Sequence, residues 1–351
     1  MATNIKKIIY MHPRMDATAG HIRAERPDID MTLYPFSAPK PETWTAVAQA
    51  HGYHACSRVE MQEPWFPNAE LITRAPNMLA ICSLGAGYDV IDVDACTQAG
   101  ILVCNQSGGN SEAVAEHAMG FMLALSKKIV LSDRAMRRDA HLDRFLFTGN
   151  DLLGKTVGII GLGNIGGRVA ELCKGLFRMT VLAYDPYLTK EQIAAKGAQK
   201  VELAELLPRA DYVTMHCPRT KETFGMLGYA QFAAMKPSAY FINTSRGGTY
   251  KEEDLLEILQ EKKIAGAGLD VFLEEPPPTD HPLMAFDNVI VSPHNAGITH
   301  ESMAKVSKIA AEQWIDLLDG KVPPRLINKE VWPKYTQRFE RVMGFKPAAL
   351  A

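Results

Sequence analysis

The sequence predicts an α/β protein of two domains, each built on a doubly wound parallel sheet. Its length of 351 residues is sufficient for two separate cores. Short apolar runs of strand length alternate with segments of helix length, which is the rhythm of parallel α/β folds. A glycine-rich turn of the type that joins a strand to a helix stands near the middle, at 161–166. The residues before this turn must therefore supply a sheet of their own.

The residues before that turn indicate a flavodoxin-like sheet. Five short apolar runs predict strands and one amphipathic segment predicts a helix. The strands are expected at 5–11, 31–36, 53–56, 79–83 and 101–104, and the helix at 41–51. Met11-His-Pro-Arg14 follows the first strand without any glycine, so we expect no nucleotide site there. A long helix is predicted from Ser111, a suitable N-cap residue, to about Ile129.

Residues 154–186 contain the ordered parts of a dinucleotide-binding unit: a strand, a glycine-rich turn, an amphipathic helix, a second strand and a terminal acid. The first glycine permits the tight turn, the second lets the backbone approach a pyrophosphate, and the third lets helix and strand pack closely. The pyrophosphate would accept hydrogen bonds from the unpaired N–H groups of the helix N-terminus. The predicted cofactor residues are Gly161, Gly163, Asn164, Ile165, Gly166 and Asp185.

The acid at the end of the second strand also indicates which dinucleotide is bound. Asp185 stands where a carboxylate accepts hydrogen bonds from the adenosine ribose hydroxyls. Pro186 and Tyr187 follow it, with no lysine or arginine to bind a 2′-phosphate. We therefore predict NAD, used as NADH in the reductive direction, rather than NADP.

The remaining elements predict how the two domains share the chain. Further strands are expected at 212–216, 240–243, 267–271 and 289–291, and helices at 202–207, 229–235, 251–262 and 301–318. The last helix follows a complete set of six strands, so we expect it to return to the first domain. The prediction is a discontinuous substrate-binding domain of residues 1–124 and 298–351 and an NAD-binding Rossmann domain of residues 125–297. The helices at 111–129 and 301–318 would bridge the domains, with the substrate cleft between them.

Composition and charge exclude several other classes of protein. The chain is 47% hydrophobic and 22% charged with a net charge of −2, which gives no reason to expect a nucleic-acid or membrane partner. The apolar run at the N-terminus is too short for a signal peptide. Six scattered cysteines include no CxxC pair, so we expect buried thiols, no metal site and a cytoplasmic location.

Three charged residues stand just past predicted strands of the second domain: Arg246, Glu275 and His294. Open α/β sheets bind ligands at the carboxyl ends of their strands, which makes all three candidates for the active site. A substrate that exchanges a hydride with NAD also exchanges a proton, and histidine is a suitable acid/base at neutral pH. A carboxylate can fix the orientation of such a histidine, and the planar fork of arginine suits a carboxylate or keto oxygen.

Six segments in order make the chain similar to a known family. GLGNIGGRVA, FINTSRGG, GLDVFLEEPPP and SPHNAG, together with CSLGAGYDVID and VCNQSGGNSEAVAEH nearer the N-terminus, resemble the D-isomer-specific 2-hydroxyacid dehydrogenases, among them glyoxylate/hydroxypyruvate reductases and phosphoglycerate dehydrogenases. The resemblance implies that Arg246 binds the substrate carboxylate and keto oxygen. It also implies that His294 is the acid/base and that Glu275, not Glu274, pairs with it.

The same resemblance implies further binding residues. The backbone N–H groups of Ala86 and Gly87 would bind the substrate carboxylate. Asp270 would contact the nicotinamide amide, and Thr244 and Cys217 would line the cofactor. Arg58, just past a predicted strand of the first domain, could bind a distal anion of the substrate. The chain departs from the family pattern at Ser107, where proline is usual, and at Arg219, where an apolar residue is usual.

The predicted function is therefore an NAD-dependent oxidoreductase that interconverts a small 2-oxo acid and a D-2-hydroxy acid. The resemblance also implies a homodimer, with the helix after Ser111 and the segment 137–150 as contact surfaces. Glu275 argues against the formate-oxidising branch of the fold, which lacks this carboxylate. An alternative from another class is an NAD-sensing interaction protein similar to the transcriptional corepressors of this fold.

Overall fold

The computed structural model describes residues 5–139 and 141–350. They form two compact units, one made of the chain up to Asn110 and again from His300, the other of Ser111–Thr299. The sequence-based boundary between residues 124 and 125 falls inside a helix, Ser111–Ser126, that belongs to the second unit.

The first unit contains a five-stranded parallel sheet. Its strands are β1 (Lys6–Tyr10), β2 (Ile29–Leu33), β3 (Gly52–Ala55), β4 (Ala80–Ser83) and β5 (Leu102–Cys104), and its helices so far are α1 (Asp16–Glu25), α2 (Lys40–Gln49), α3 (Ala69–Thr73) and α4 (Val93–Ala99). The strand order is β2-β1-β3-β4-β5, which is the flavodoxin-like order. The strands are buried because helices cover parallel sheets on both faces.

The second unit contains a seven-stranded parallel sheet. The strands are β6 (Thr156–Ile160), β7 (Thr180–Tyr184), β8 (Gln199–Lys200), β9 (Tyr212–Met215), β10 (Tyr240–Asn243), β11 (Gly266–Leu269) and β12 (Val289–Val291). The helices are α5 (Ser111–Ser126), α6 (Ile129–Met136), α7 (Asn164–Phe177), α8 (Lys190–Ala195), α9 (Leu203–Arg209), α10 (Tyr229–Ala233) and α11 (Glu252–Gln260). The order β12-β11-β10-β9-β6-β7-β8 reverses direction between β6 and β9, the position at which doubly wound sheets bind ligands. The predicted fold class is confirmed.

Two sequence predictions for this unit were wrong in detail. The sheet has a seventh strand, β8, because two polar residues pair with β7 although they form no apolar run. The helix predicted to continue to Ile129 ends at Ser126, because Lys128 adopts the left-handed conformation with φ of 53°. The chain changes direction there, and α6 begins as a separate helix.

The chain returns to the first unit with α12 (His300–Leu318), which packs against α1. The Trp314 side chain is fully buried, and its Nε1–H donates a hydrogen bond to His54 Nδ1 at 2.8 Å. Burial lowers the pKa of His54 to about 3, so its ring is neutral and can accept this bond. Neither α12 nor any other helix in the described ranges has the length and apolar character of a membrane span.

The final helix, α13 (Trp332–Met343), was not predicted from the sequence. Its apolar residues Trp332, Tyr335 and Phe339 are buried at helical spacing, while its mean composition is polar. The Arg338 guanidinium secures the helix because it donates to backbone carbonyls at the ends of α3 and α4. The accepting residues are Ala75, Pro76, Met78 and Ala99.

Candidate active site

All the candidate residues of the second unit lie at one edge of its sheet. The glycine-rich turn follows β6 and Asp185 follows β7, while Arg246, Glu275 and His294 follow β10, β11 and β12. Because every strand of the sheet is parallel, these segments leave from the same edge. The sheet therefore carries a dinucleotide fingerprint on one side of its switch point and three polar side chains on the other.

Glycine occurs at the three positions of this turn for different structural reasons. Gly161 has a φ of 88°, which favours glycine, and a Cβ on Gly166 would lie 2.1 Å from the Gly161 carbonyl oxygen. A Cβ on Gly163 would meet no protein atom within 4 Å. The fold thus requires glycine at 161 and 166, whereas at 163 the open space suits close approach by a bound phosphate.

The terminal acid and the helix also fit a dinucleotide. Asp185 Oδ2 accepts a hydrogen bond from the Leu162 N–H at 2.9 Å, and its other oxygen accepts from the Tyr187 N–H at 3.0 Å. The carboxylate therefore lies beside the glycine-rich turn. Asn164 is exposed at the start of α7, and Ile165 packs partly into the core below it. The first turn of α7 presents backbone N–H groups without intrahelical partners.

Two polar atoms at this edge are buried without a hydrogen-bond partner among the described residues. They are Thr244 Oγ1, directly after β10, and His216 Nδ1, directly after β9. Thr244 was predicted to line the cofactor, whereas His216 was not singled out. Burial raises the pKa of the neighbouring Cys217 thiol to about 11, so Cys217 is a neutral, weakly polar wall. Unsatisfied buried groups are costly, and a bound polar ligand would satisfy them.

His294 and Glu275 form a hydrogen-bonded pair. His294 Nδ1 lies 2.8 Å from Glu275 Oε2, and the two side chains are 28% and 18% exposed. An ionised carboxylate only accepts hydrogen bonds, so Nδ1 carries the hydrogen and Nε2 faces away from the pair. Glu275 Oε1 accepts from the Phe272 N–H at 3.0 Å, which holds the carboxylate in place. The pair has the geometry of an acid/base with an orienting carboxylate.

Asp270 organises the loop that carries His294. Its carboxylate is 1% exposed and accepts from Ser292 Oγ and from the N–H groups of Asn295 and Ala296, at 2.6 to 3.0 Å. The His294 N–H donates to the Asp270 carbonyl, and His294 has a φ of 52°, a strained conformation for a residue with a side chain. Asp270, expected at the nicotinamide, thus has its hydrogen-bonding capacity largely engaged by this loop.

Ser292 extends this network to α5. Because the Ser292 hydroxyl donates to Asp270, its oxygen accepts from His117 Nε2, which lies 3.0 Å away. The sequence marked His117 only as part of the AEH segment. No local pattern indicates this contact, since the two residues are 175 positions apart.

Arg246 lies just past β10, the strand that pairs with β11, as its position in the sequence predicts. Its Nη1 donates to the Ser245 carbonyl at 2.7 Å, and the side chain is partly exposed. Gly247, the next residue, packs against the backbone of Phe272. The structure therefore brings together the segments of Arg246, Glu275 and His294 along adjacent strands.

Three substrate-binding candidates belong to the first unit. Ala86 and Gly87 lie in a partly exposed turn after β4, where Asn105 Nδ2 donates to the Ala86 carbonyl at 2.7 Å. Within the described ranges, neither the Ala86 nor the Gly87 N–H has a hydrogen-bond partner. Arg58 is exposed after β3, and over the same residues its guanidinium makes no ion pair. Nearby, Glu60 pairs with Arg14.

No group of three or more His, Cys, Asp or Glu side chains among the described residues is arranged to hold a metal ion. The six cysteines are all free, and five of them are buried.

A parallel sheet with this fingerprint, and a histidine–carboxylate pair at the same edge, defines an NAD-dependent dehydrogenase of the doubly wound class. A comparison with known families agrees: the sequence profile described as "D-isomer specific 2-hydroxyacid dehydrogenase, NAD binding domain" matches residues 119–296. The chain belongs to the D-isomer-specific 2-hydroxyacid dehydrogenase family. The predicted family, the NAD cofactor and the enzyme class of NAD-dependent oxidoreductase are confirmed.

Individual relatives differ in how much of their length is matched. The chain is 44% identical over 253 residues to a D-3-phosphoglycerate dehydrogenase of Archaeoglobus fulgidus, covering 72% of this chain and 48% of that protein. It therefore spans about half the length of that relative. It is 38% identical over 267 residues to a glyoxylate reductase of Korarchaeum cryptofilum, covering 75% and 80%.

A solved structure extends the similarity to both units. D-lactate dehydrogenase from Aquifex aeolicus, complexed with NAD and lactic acid, is 28% identical and superposes with a TM-score of 0.76. The match covers 90% of this chain and 96% of that one.

A pair of alanine variants separates the expected roles of Gly163 in cofactor binding and of Gly166 in folding. Gly163→Ala should unfold at the wild-type temperature but bind NADH about tenfold or more weakly, because its Cβ would occupy the space that a pyrophosphate requires. Gly166→Ala should lose about 1–3 kcal/mol of unfolding free energy, because its Cβ would overlap the Gly161 carbonyl. Thermal unfolding and NADH fluorescence titration measure both effects. Wild-type NADH affinity in Gly163→Ala would contradict the cofactor position.

Proposed function

We propose that the protein interconverts a 2-oxo acid and a D-2-hydroxy acid by hydride transfer, and that it acts chiefly as a 2-oxoacid reductase. The observation that carries the proposal is the His294–Glu275 pair, at 2.8 Å, on the same sheet edge as a dinucleotide fingerprint. A dehydrogenase of this class requires an acid/base near the hydride acceptor, and this pair supplies one.

Each residue of the pair has a distinct chemical role in this proposal. Bound NADH supplies the hydride for C2 of the substrate. His294 donates a proton from Nε2 to the 2-oxo oxygen, and Glu275 stabilises the imidazolium through Nδ1 and fixes its orientation. In the oxidative direction the same histidine accepts the proton, as microscopic reversibility requires.

Cationic and backbone donors would orient the acid. A guanidinium carries parallel N–H groups that suit a carboxylate or the keto oxygen beside it, and we propose that Arg246 has this role. We propose that the N–H groups of Ala86 and Gly87 bind the carboxylate, which is supported by their lack of partners within the described residues. A charged acid held by fixed donors keeps its reacting carbon in one orientation.

We propose that the substrate is a small 2-oxo acid, by analogy with the named relatives. One relative is named a glyoxylate reductase and another a phosphoglycerate dehydrogenase. Arg58 is the residue that would distinguish these two, because a guanidinium suits a distal phosphate. Its exposure and its lack of an ion pair over the described residues are compatible with binding an anion.

NADH oxidation with a panel of 2-oxo acids tests this function. The panel contains glyoxylate, pyruvate, hydroxypyruvate, hydroxypyruvate phosphate and a bulky aromatic 2-oxo acid, with NADPH as the control cofactor. We expect turnover of at least one acid with NADH, and a lower rate with NADPH because Asp185 repels a 2′-phosphate. If the phosphate is preferred, Arg58→Ala should raise its KM about tenfold and leave the KM for glyoxylate unchanged.

Two results would contradict the proposed reductase or the proposed role of Arg58. NADH binding without turnover of any acid would contradict the reductase and favour the NAD-sensing interaction protein. An unchanged KM for every anionic substrate in Arg58→Ala would exclude Arg58 from substrate binding.

We propose that the protein is a homodimer and that α6 and the following segment form the contact. The helix α6 has no buried residue, and five large apolar side chains in this region are 54–72% exposed. They are Ile129, Met136, Phe145, Leu146 and Leu153. An exposed apolar surface of this kind marks an association site, and a second copy of the chain is the occupant that we propose.

The free cysteines are compatible with a reducing, cytoplasmic location.

Sedimentation of the wild type and of a Phe145→Glu, Leu146→Glu double variant tests the dimer. The wild type should sediment as a dimer, and the double variant as a monomer with unchanged circular dichroism, because two buried carboxylates disfavour the contact. A substitution of exposed Tyr187 by glutamate is the control and should leave the dimer intact. A monomeric wild type would contradict the proposal.

A further inference from the structure

A second histidine–carboxylate pair lies in the same unit, outside the residues assigned above. His281 Nε2 and Glu252 Oε2 are 3.2 Å apart, and the two side chains are 14% and 17% exposed. Glu252 is the first residue of α11, and His281 is the N-cap residue of a short 3-10 helix, Pro282–Ala285. The sequence patterns did not indicate either residue.

The hydrogen bonds of this pair define its protonation and its second contact. The Leu283 N–H points to His281 Nδ1 at 3.4 Å, so Nδ1 is the acceptor and Nε2 carries the hydrogen that Glu252 accepts. The other carboxylate oxygen, Glu252 Oε1, accepts from the Leu273 N–H at 2.6 Å. Glu252 thereby links His281 to the segment 271–275 that ends at Glu275.

The contacted segment also touches the residues assigned to the reaction. The Phe272 N–H donates to Glu275 Oε1 at 3.0 Å, and the Phe272 ring packs edge-on against His281 with centroids 5.1 Å apart. A Cβ on Gly247, the residue after Arg246, would lie 1.7 Å from the Phe272 carbonyl oxygen. The backbone of Phe272 and Leu273 is therefore enclosed between the Glu252–His281 pair and the loop that carries Arg246.

We propose that Glu252 and His281 are positioning residues for the His294–Glu275 pair. They hold the Leu273 N–H and the Phe272 ring, and Phe272 in turn holds the carboxylate that orients His294. This role rests on the proposed reductase function. A displacement of about 1 Å at a reacting group is sufficient to lower a rate about 100-fold, so loss of the contact should reduce kcat without removing any group that touches substrate.

Four variants of the chain test the proposal. For each one, kcat and KM are measured with the best acid of the panel, together with the Kd of NADH. Glu252→Ala should lower kcat about 10- to 100-fold and leave the NADH Kd within about twofold. Glu252→Gln retains an oxygen for the Leu273 N–H and should recover much of the lost kcat. His281→Gln changes the other residue of the pair more mildly and should lower kcat less than Glu252→Ala does. Glu253→Ala, at the exposed neighbour in the same helical turn, is the control and should match the wild type.

Amide hydrogen exchange of peptides covering 271–276 gives a readout that does not depend on turnover. Exchange should be faster in Glu252→Ala than in the wild type and in Glu253→Ala, because the Leu273 N–H loses its acceptor. Unchanged exchange, or faster exchange with wild-type kcat, would overturn the positioning role. A wild type without turnover of any acid would instead contradict the proposed reductase, which is distinguishable because the wild type is assayed first.

Discussion

His294 and Glu275 are joined by one hydrogen bond of 2.8 Å, although each is at the end of a different strand and partly exposed to solvent. The geometry of this hydrogen bond depends on the two loops that carry the residues, and both loops are partly exposed to solvent. Asp270 holds one loop through Ser292, Asn295 and Ala296, and the Phe272 N–H holds the carboxylate of the other. The position of the proposed acid/base, His294, therefore depends on the backbone of these two loops.

The parallel sheet explains why these groups meet at all. Strands β10, β11 and β12 are neighbours in register, so the residues that follow them leave from one edge. The reversal of strand order between β9 and β6 adds the glycine-rich turn and Asp185 to the same edge. A single topological feature thus places the glycine-rich turn and the His294–Glu275 pair at the same edge, where open α/β sheets bind their ligands. His294, at this edge, has a φ of 52°, in the left-handed region that a residue with a side chain rarely adopts.

The sequence was sufficient for those parts of the site that are encoded in contiguous segments. Gly161 and Gly166 are recognisable because the turn geometry demands glycine there, and Asp185 because it ends the second strand of the same βαβ unit. His294 and Glu275 are recognisable because each stands a few residues past an apolar strand, and the family resemblance selects Glu275 rather than Glu274. The strands themselves followed from their apolar runs, and β8 was missed because its two residues are polar.

Contacts between residues far apart in the sequence could not be predicted in this way. The hydrogen bonds that the Asp270 carboxylate accepts from Ser292 and Asn295, more than 20 residues further along, have no signal in the sequence. The links from His117 to Ser292 and from Glu252 to Leu273 depend on tertiary packing, for which a single sequence has no periodic signal. The end of α5 at Ser126 depends on one residue, Lys128, adopting a left-handed conformation that lysine does not favour.

His294 and Glu275 are expected to act as one unit, and a double-mutant cycle measures this directly. NADH oxidation with the preferred 2-oxo acid would be compared in the wild type, His294→Ala, Glu275→Gln and the double variant. We expect kcat/KM to fall about 100- to 10,000-fold in His294→Ala, and the double variant to fall no further, because Glu275 acts only through the histidine. Losses that multiply in the double variant, or a His294→Ala protein that keeps its activity, would contradict the account.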